Sequence, residues 1–135
     1  MAEVDEMIGG VLGTLDRLGA KGDTFVVATS DNGQLRAYSD HFRTGSSGPY
    51  RGGKFEGFEG GHRVFGLMRW PGRIVPGVSP RLTSHLDLFP TFAALAGTTP
   101  PPKQLDGEDM APWLFTFHNS TPPLARYARR THDRV

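Results

Sequence analysis

Two short stretches hold side chains whose chemistry goes beyond packing. Asp31-Asn32-Gly33 follows directly on an apolar and β-branched run, Thr24-Phe25-Val26-Val27-Ala28-Thr29. A carboxylate beside a carboxamide offers hard oxygen ligands of the kind that Ca²⁺ or Mg²⁺ takes. The carboxyl end of a buried strand is also where an open α/β sheet binds its ligands. Asp-Asn-Gly is equally an ordinary turn sequence, so the local pattern leaves both readings open. Lys54 lies in Gly52-Gly53-Lys54, ahead of Phe58-Glu59-Gly60-Gly61-His62-Arg63. Neighbouring glycine lets the backbone approach a ligand closely, and an ammonium there acts as a point charge on an oxyanion. A solvated loop lysine is the alternative. Glu59 and Arg63, four residues apart, are spaced for a local ion pair rather than for catalysis.

Other chemistries are thinner. His41, His62, His85, His118 and His132 include no pair at H-x-x-x-H spacing, so they read as surface or hydrogen-bonding residues. Cysteine is absent, which removes disulfides, zinc thiolates and a thiol nucleophile from the chain. Asn119-Ser120-Thr121 has the form of a glycosylation acceptor, a weak signal given the Pro122 that follows.

The elements that would position these residues follow from periodicity. Val4, Met7, Ile8, Val11, Leu12, Leu15 and Leu18 recur at helical spacing, and Gly19 is placed to end that helix with Lys21 near its negative pole. Gly22-Asp23 then turns the chain into the run at 24–29, whose near-continuous apolar character predicts a strand buried in a parallel sheet. Helix, turn and strand make half of a βαβ unit, which implies a further strand before Met1. Residues 30–62 form a long loop rich in Gly, Ser and Arg, a feature more often functional than idle. Val64–Trp70 is a second strand candidate, ended by Pro71-Gly72, with a further turn at Pro76-Gly77. Leu86–Ala96 is a second helix with Ser84 or Asp87 as cap, Pro90 in its first turn and Gly97 as its stop. Beyond it come Leu105-Asp106-Gly107 and a small apolar cluster, Met110–Phe115. The remainder, 116–135, has no periodicity and is expected to be disordered or divergent.

Composition sets the outer limits. With 135 residues, 37% apolar and 21% charged, the chain suits one modest core and is neither disordered nor membrane-embedded. No apolar run approaches bilayer length. A net charge of +1 gives no indication of a nucleic-acid or membrane partner. The acidic start, Met1-Ala2-Glu3-Val4-Asp5-Glu6, lacks the form of a signal peptide.

Taken in order, Thr29-Ser30-Asp31-Asn32-Gly33, Gly53-Lys54, Phe58–Arg63, Trp70-Pro71-Gly72, Leu86-Asp87-Leu88-Phe89-Pro90-Thr91, Ala94-Leu95-Ala96-Gly97 and Leu105-Asp106-Gly107 resemble the sulfatase family, of the arylsulfatase and N-acetylgalactosamine-6-sulfatase type. The resemblance spans roughly residues 3–115 and implies a partial catalytic domain (1–115) of α/β class. The fold implied is a piece of an alkaline-phosphatase-like sandwich with a mostly parallel sheet flanked by helices. By resemblance Asp31 and Asn32 correspond to a later pair of Ca²⁺ ligands, and Lys54 to the lysine that binds the sulfate of a sulfate-ester substrate. The family's nucleophile is a formylglycine made from Cys or Ser followed by x-Pro-x-Arg. It is expected upstream, with the aspartate pair that completes the metal site and a Lys/His pair. Two protein ligands are too few for a tight Ca²⁺ site, which takes about six to eight oxygens. The chain alone is therefore expected to be an inactive part of a sulfuric ester hydrolase, and a full-length parent to be lysosomal, secreted or periplasmic. A phosphate-ester hydrolase of the same superfamily is a second reading, disfavoured by the sparse histidines. A non-catalytic interaction module is a third.

Overall fold

The computed structural model describes residues 2–36, 41, 45–99 and 105–116. They fall into two compact units, Met1–Trp70 and Pro71–Val135. The expectations for His118, His132, the 119–121 acceptor pattern and the tail lie outside the described residues, the tail from 117 onward.

The first unit opens with α1 (Ala2–Arg17), which carries Glu3 and Asp5 in its first turn and Arg17 in its last, matching the helix dipole. Its end is a double closure. The Gly19 N–H donates to Asp16 O at 3.1 Å and the Ala20 N–H to Leu15 O at 2.9 Å. Gly19 sits at φ 65°, the left-handed position this cap requires. The apolar stripe of α1 is only partly covered within the described residues: Val4, Met7, Val11 and Leu18 are exposed, while Ile8, Leu12 and Leu15 are half-buried.

After the turn come β1 (Val26–Thr29), α2 (Glu59–His62) and β2 (Gly66–Arg69) in chain order, and β1 pairs directly with β2. The pairing is antiparallel, with Val26 opposite Arg69 and Thr29 opposite Gly66. Phe25 stacks on Trp70 with ring centroids 5.7 Å apart, and the Trp70 indole N–H donates to Gly22 O at 2.6 Å. The Thr29 hydroxyl donates to Phe65 O at 2.7 Å, fixing the other end of the ribbon. The chain is thus α/β, but the one pairing among the described residues is antiparallel rather than parallel. A continuous β-branched run records burial and extended backbone; it carries no information on the direction of the neighbouring strand. Val26–Ala28 are half-buried and Thr29 is exposed.

In the second unit a single 3₁₀ turn (His85–Asp87) runs into α3 (Leu88–Leu95), so the expected helix is present with a tighter first turn. Its cap is reciprocal: the Leu86 N–H donates to the Ser84 hydroxyl at 3.2 Å, and the Ser84 N–H to the Asp87 carboxylate at 2.8 Å. Gly97, at φ 68°, ends α3 by the same double closure as Gly19, Gly97 N–H to Ala94 O and Thr98 N–H to Ala93 O. The short α4 (Ala111–Leu114) begins with Pro112 near its start and packs on α3. Met110, 2% exposed, and Leu114 are the buried hydrophobic side chains here. No helix among the described residues is long and apolar enough to cross a membrane.

Candidate functional site

All three candidate residues lie in the first unit, where β1 delivers Asp31 and Asn32 to its carboxyl end. The Ser30 hydroxyl organises that end. It donates to Asn32 O at 2.9 Å and stands 3.4 Å from Asp31 Oδ1. The Asn32 amide nitrogen donates to Gly33 O at 2.9 Å, which leaves its oxygen as the remaining ligand atom. Asp31 is exposed, and among the described residues no cation lies within ion-pair distance of it.

Lys54 reaches this region through backbone. Its N–H donates to Gln34 O at 2.7 Å, the Gly33 N–H to Gly61 O at 2.9 Å, and the Gly60 N–H to Arg51 O at 2.7 Å. Three segments far apart in sequence are therefore drawn together: 33–34, 51–54 and 60–61. Glycine is demanded at the crossings by closeness rather than by dihedral angle. A Cβ on Gly33 would fall on the Gly60 carbonyl, one on Gly60 against the carbonyls of Gly52 and Arg51, and one on Gly53 2.6 Å from Gln34 O. A Cβ on Gly61 would likewise stand 2.6 Å from Gly53 O. Distances of that size are never tolerated by backbone without displacement. The run of glycine around Lys54, legible only as possible close approach to a ligand, thus serves close approach of backbone to backbone.

Arginines brace the outside of the loop. Arg63 pairs with Glu59 as its spacing predicts, Nε donating at 2.6 Å, and that bond holds the guanidinium above its ordinary pKa. The Arg63 guanidinium lies 4.6 Å over the Tyr50 ring, and that of Arg51 lies 3.9 Å over Phe58. Arg36 meets Glu56 at 3.8 Å. Lys54 differs from these: among the described residues no carboxylate lies within ion-pair distance of its ammonium, which stands 5.3 Å from the Phe55 ring centroid.

As a metal site the strand end fits in kind and falls short in number. Asp31 and Asn32 offer hard oxygens, but no group of three or more His, Cys, Asp or Glu that could hold a metal occurs among the described residues. His62, which belongs to no such group, instead approaches Glu59 at 3.7 Å.

One string escaped the reading of the sequence. Ser47-Gly48-Pro49-Tyr50-Arg51 has the Ser-x-Pro-x-Arg form that was expected only upstream. Its hydroxyl is shared between Tyr50 O and Gly52 O, both at 3.1 Å, and faces the Gln34 amide at 3.5 Å. The Tyr50 N–H returns to Ser47 O at 3.2 Å. Ser47 thereby ties the loop that leads into Lys54, a structural use of the same letters.

The sequence matches the Sulfatase family over residues 1–98. It is 42% identical to rat (Rattus norvegicus) steryl-sulfatase over 97% of this chain and 25% of that protein. Against bovine (Bos taurus) arylsulfatase A the identity is 45%, over 85% of this chain and 22% of the relative. The crystal structure of a sulfatase from Pseudoalteromonas sp. superposes with a TM-score of 0.74 at 32% identity, covering 84% of this chain and 23% of that one. The chain spans about a quarter of the length of the relatives it matches. With ordered motifs, α/β architecture and both kinds of likeness in agreement, the chain belongs to the sulfatase family.

Proposed function

We propose that the chain is part of a sulfuric ester hydrolase and supplies the electrostatic half of its active site. Lys54 would bind an oxygen of the substrate's sulfate, and Asp31 and Asn32 would give two oxygen ligands to Ca²⁺. The observation that supports this most is the set of backbone bonds that draws the strand end at 33–34 against the loop carrying Lys54, with glycine at the crossings. An ammonium and a carboxylate that, among the described residues, have no oppositely charged partner then belong to one small, backbone-locked region. The chemistry that Ca²⁺ supplies when bound is neutralisation of charge on the sulfate oxygens during displacement.

The chain's own residues do the holding. Lys54 contributes a fixed positive charge where negative charge develops on the equatorial oxygens, an arrangement that lowers a barrier when it is organised in advance. Ser30 keeps Asp31 and Asn32 oriented, and the 34–54 backbone bond keeps the lysine from drifting with its loop. The formylglycine nucleophile, the remaining metal ligands and the mostly parallel sheet of the alkaline-phosphatase-like architecture would come from the rest of the enzyme.

The expected behaviour of the 135-residue chain is weak Ca²⁺ binding that depends on Asp31, sulfate binding that depends on Lys54, and no turnover of an aryl sulfate. Calorimetric titration of Ca²⁺ and sulfate into wild type, Asp31→Ala and Lys54→Ala chains measures the first two. Unchanged sulfate affinity in Lys54→Ala would remove the lysine from its role. Hydrolysis of 4-nitrophenyl sulfate by wild type that disappears in Ser47→Ala would place the nucleophile in this chain and overturn the division of labour.

A further inference from the structure

Phe55 stands out by two measures at once. It is the one non-glycine residue with positive φ among the described residues, at 73°, and its side chain is 87% exposed. The conformation arises from a four-residue turn closed by the Glu56 N–H donating to Gly53 O at 3.0 Å, with Phe55 third in the turn. Turns with positive φ at that position ordinarily carry Gly or Asn, and a bulky ring there is a real outlier. The strain is not offset by burial, because the ring touches so little of the chain. Its neighbours leave it no alternative: Lys54 is tied to Gln34 O on one side and Glu56 to Gly53 O on the other. Residues held in sparse conformations by surroundings that over-determine them concentrate at ligand clamps.

What the ring does meet is the Lys54 ammonium, 5.3 Å from its centroid and within the range of a cation–π contact. The turn thus presents a charge and a flat apolar surface side by side. We propose that Phe55 is a specificity-determining residue, the surface against which the ring-shaped carrier of a sulfate ester rests while Lys54 holds the sulfate. The proposal rests on the reading of Lys54 as the sulfate-binding lysine. An anion bound at Nζ has its organic group next to the ring, and an aromatic ring or the C–H face of a sugar ring stacks well there. Inorganic sulfate gains nothing from this surface, because it has no carrier.

The test is titration of the 135-residue chain, in Ca²⁺, with three probes: inorganic sulfate, 4-nitrophenyl sulfate and glucose 6-sulfate. The wild-type chain should prefer at least one of the two esters over inorganic sulfate by roughly two- to tenfold, the range an aromatic stack provides. Phe55→Ala and Phe55→Gly should abolish that preference and leave inorganic sulfate affinity unchanged, while Phe55→Trp keeps it. Phe55→Gly should also raise the melting temperature, because glycine adopts the same φ freely. That second variant guards against loss of binding through misfolding. Which ester loses affinity tells an aromatic carrier from a sugar. If Phe55→Ala keeps the ester preference, or changes only self-association by light scattering, the proposal about Phe55 fails while the role of Lys54 stands. If Lys54→Ala leaves inorganic sulfate binding intact, or the wild-type chain binds none of the probes, the reading beneath it fails too.

Discussion

Asp31 and Asp87 are both aspartates at the joint between an ordered element and a loop, and the chain treats them oppositely. Asp87 is 4% exposed, and its carboxylate is occupied twice, by the Ser84 N–H at 2.8 Å and the Glu108 N–H at 2.9 Å. Its backbone carbonyl accepts from the Thr91 hydroxyl at 2.6 Å, and that fully buried hydroxyl accepts from the Met110 N–H at 2.8 Å. Among the described residues the carboxylate at Asp31 has one weak neighbour, the Ser30 hydroxyl, and it is exposed. A buried carboxylate must have its lone pairs satisfied, and each bond that does so takes the group out of use for a ligand. An exposed one left unsatisfied adds little to the fold and remains available. The contrast separates an acid spent on the fold from one left available to a ligand without reference to the residue type, which is the same in both.

The largest effect expected from this contrast is at Asp87. Replacement by alanine strands the Ser84 and Glu108 N–H groups and should destabilise the second unit by about 2–4 kcal/mol, at 1–3 kcal/mol for each orphaned donor with allowance for partial exposure. The two tryptophans divide between the units, Trp70 in the first and Trp113 in the second. In a Trp70→Phe background, the fluorescence of Trp113 during urea unfolding therefore reads the second unit alone. A midpoint unchanged by Asp87→Ala would mean that the bonds around this carboxylate are incidental, and the comparison would lose its structural arm.

The ends of the helices were legible in the sequence because their causes are local. Gly19 and Gly97 stop their helices through positive φ, and Pro71-Gly72 ends β2 with Gly72 at φ 80°. Ser84 and Asp87 were readable as alternative caps, since a capping box is written within four residues; the structure uses both. The second bond of Asp87, to Glu108, was not readable, because the partner lies 21 residues on and any N–H would serve. The direction of the β1 pairing was hidden for a similar reason: Val26–Thr29 has the same side-chain pattern whichever way its neighbour runs. Around the candidate site, the residue types at Asp31, Asn32 and Lys54 were visible and the packing that joins their segments was not. Gly33 and Gly60 meet across 27 residues, and nothing in either neighbourhood names the other.

That meeting point gives the next largest effect. Alanine at Gly33 would put its Cβ onto the Gly60 carbonyl, so one backbone has to give way. Forced displacement of this kind costs about 1–3 kcal/mol. It should also loosen the Gly33–Gly61 and Lys54–Gln34 bonds, which hold the strand end and the Lys54 loop together. The expected signature is therefore double: a lower unfolding midpoint read from Trp70 in a Trp113→Phe background, and faster hydrogen exchange at the Gly33 and Lys54 amides. Alanine at Gly9 is the matched control, since a Cβ there meets nothing within 4 Å and helical alanine is favourable. Should Gly33→Ala behave like Gly9→Ala, the glycine crossings would not be what brings Lys54 to the strand end.

The smallest effect on stability is expected at Asp31, and it sharpens the comparison most. Its one neighbour is a hydroxyl at 3.4 Å, and no cation within ion-pair distance among the described residues depends on it. Asp31→Ala should shift unfolding by no more than about 0.5 kcal/mol, as surface substitutions ordinarily do. If this carboxylate is a metal ligand, added Ca²⁺ should raise the midpoint of the wild-type chain, because a ligand that binds the folded form alone stabilises it. The midpoint of Asp31→Ala should then stay where it is in Ca²⁺, while Asp87→Ala, though far less stable, should retain any Ca²⁺ increment that the first unit shows. A large loss of stability in Asp31→Ala without Ca²⁺ would instead make Asp31 a structural acid like Asp87, and exposure would cease to tell the two apart.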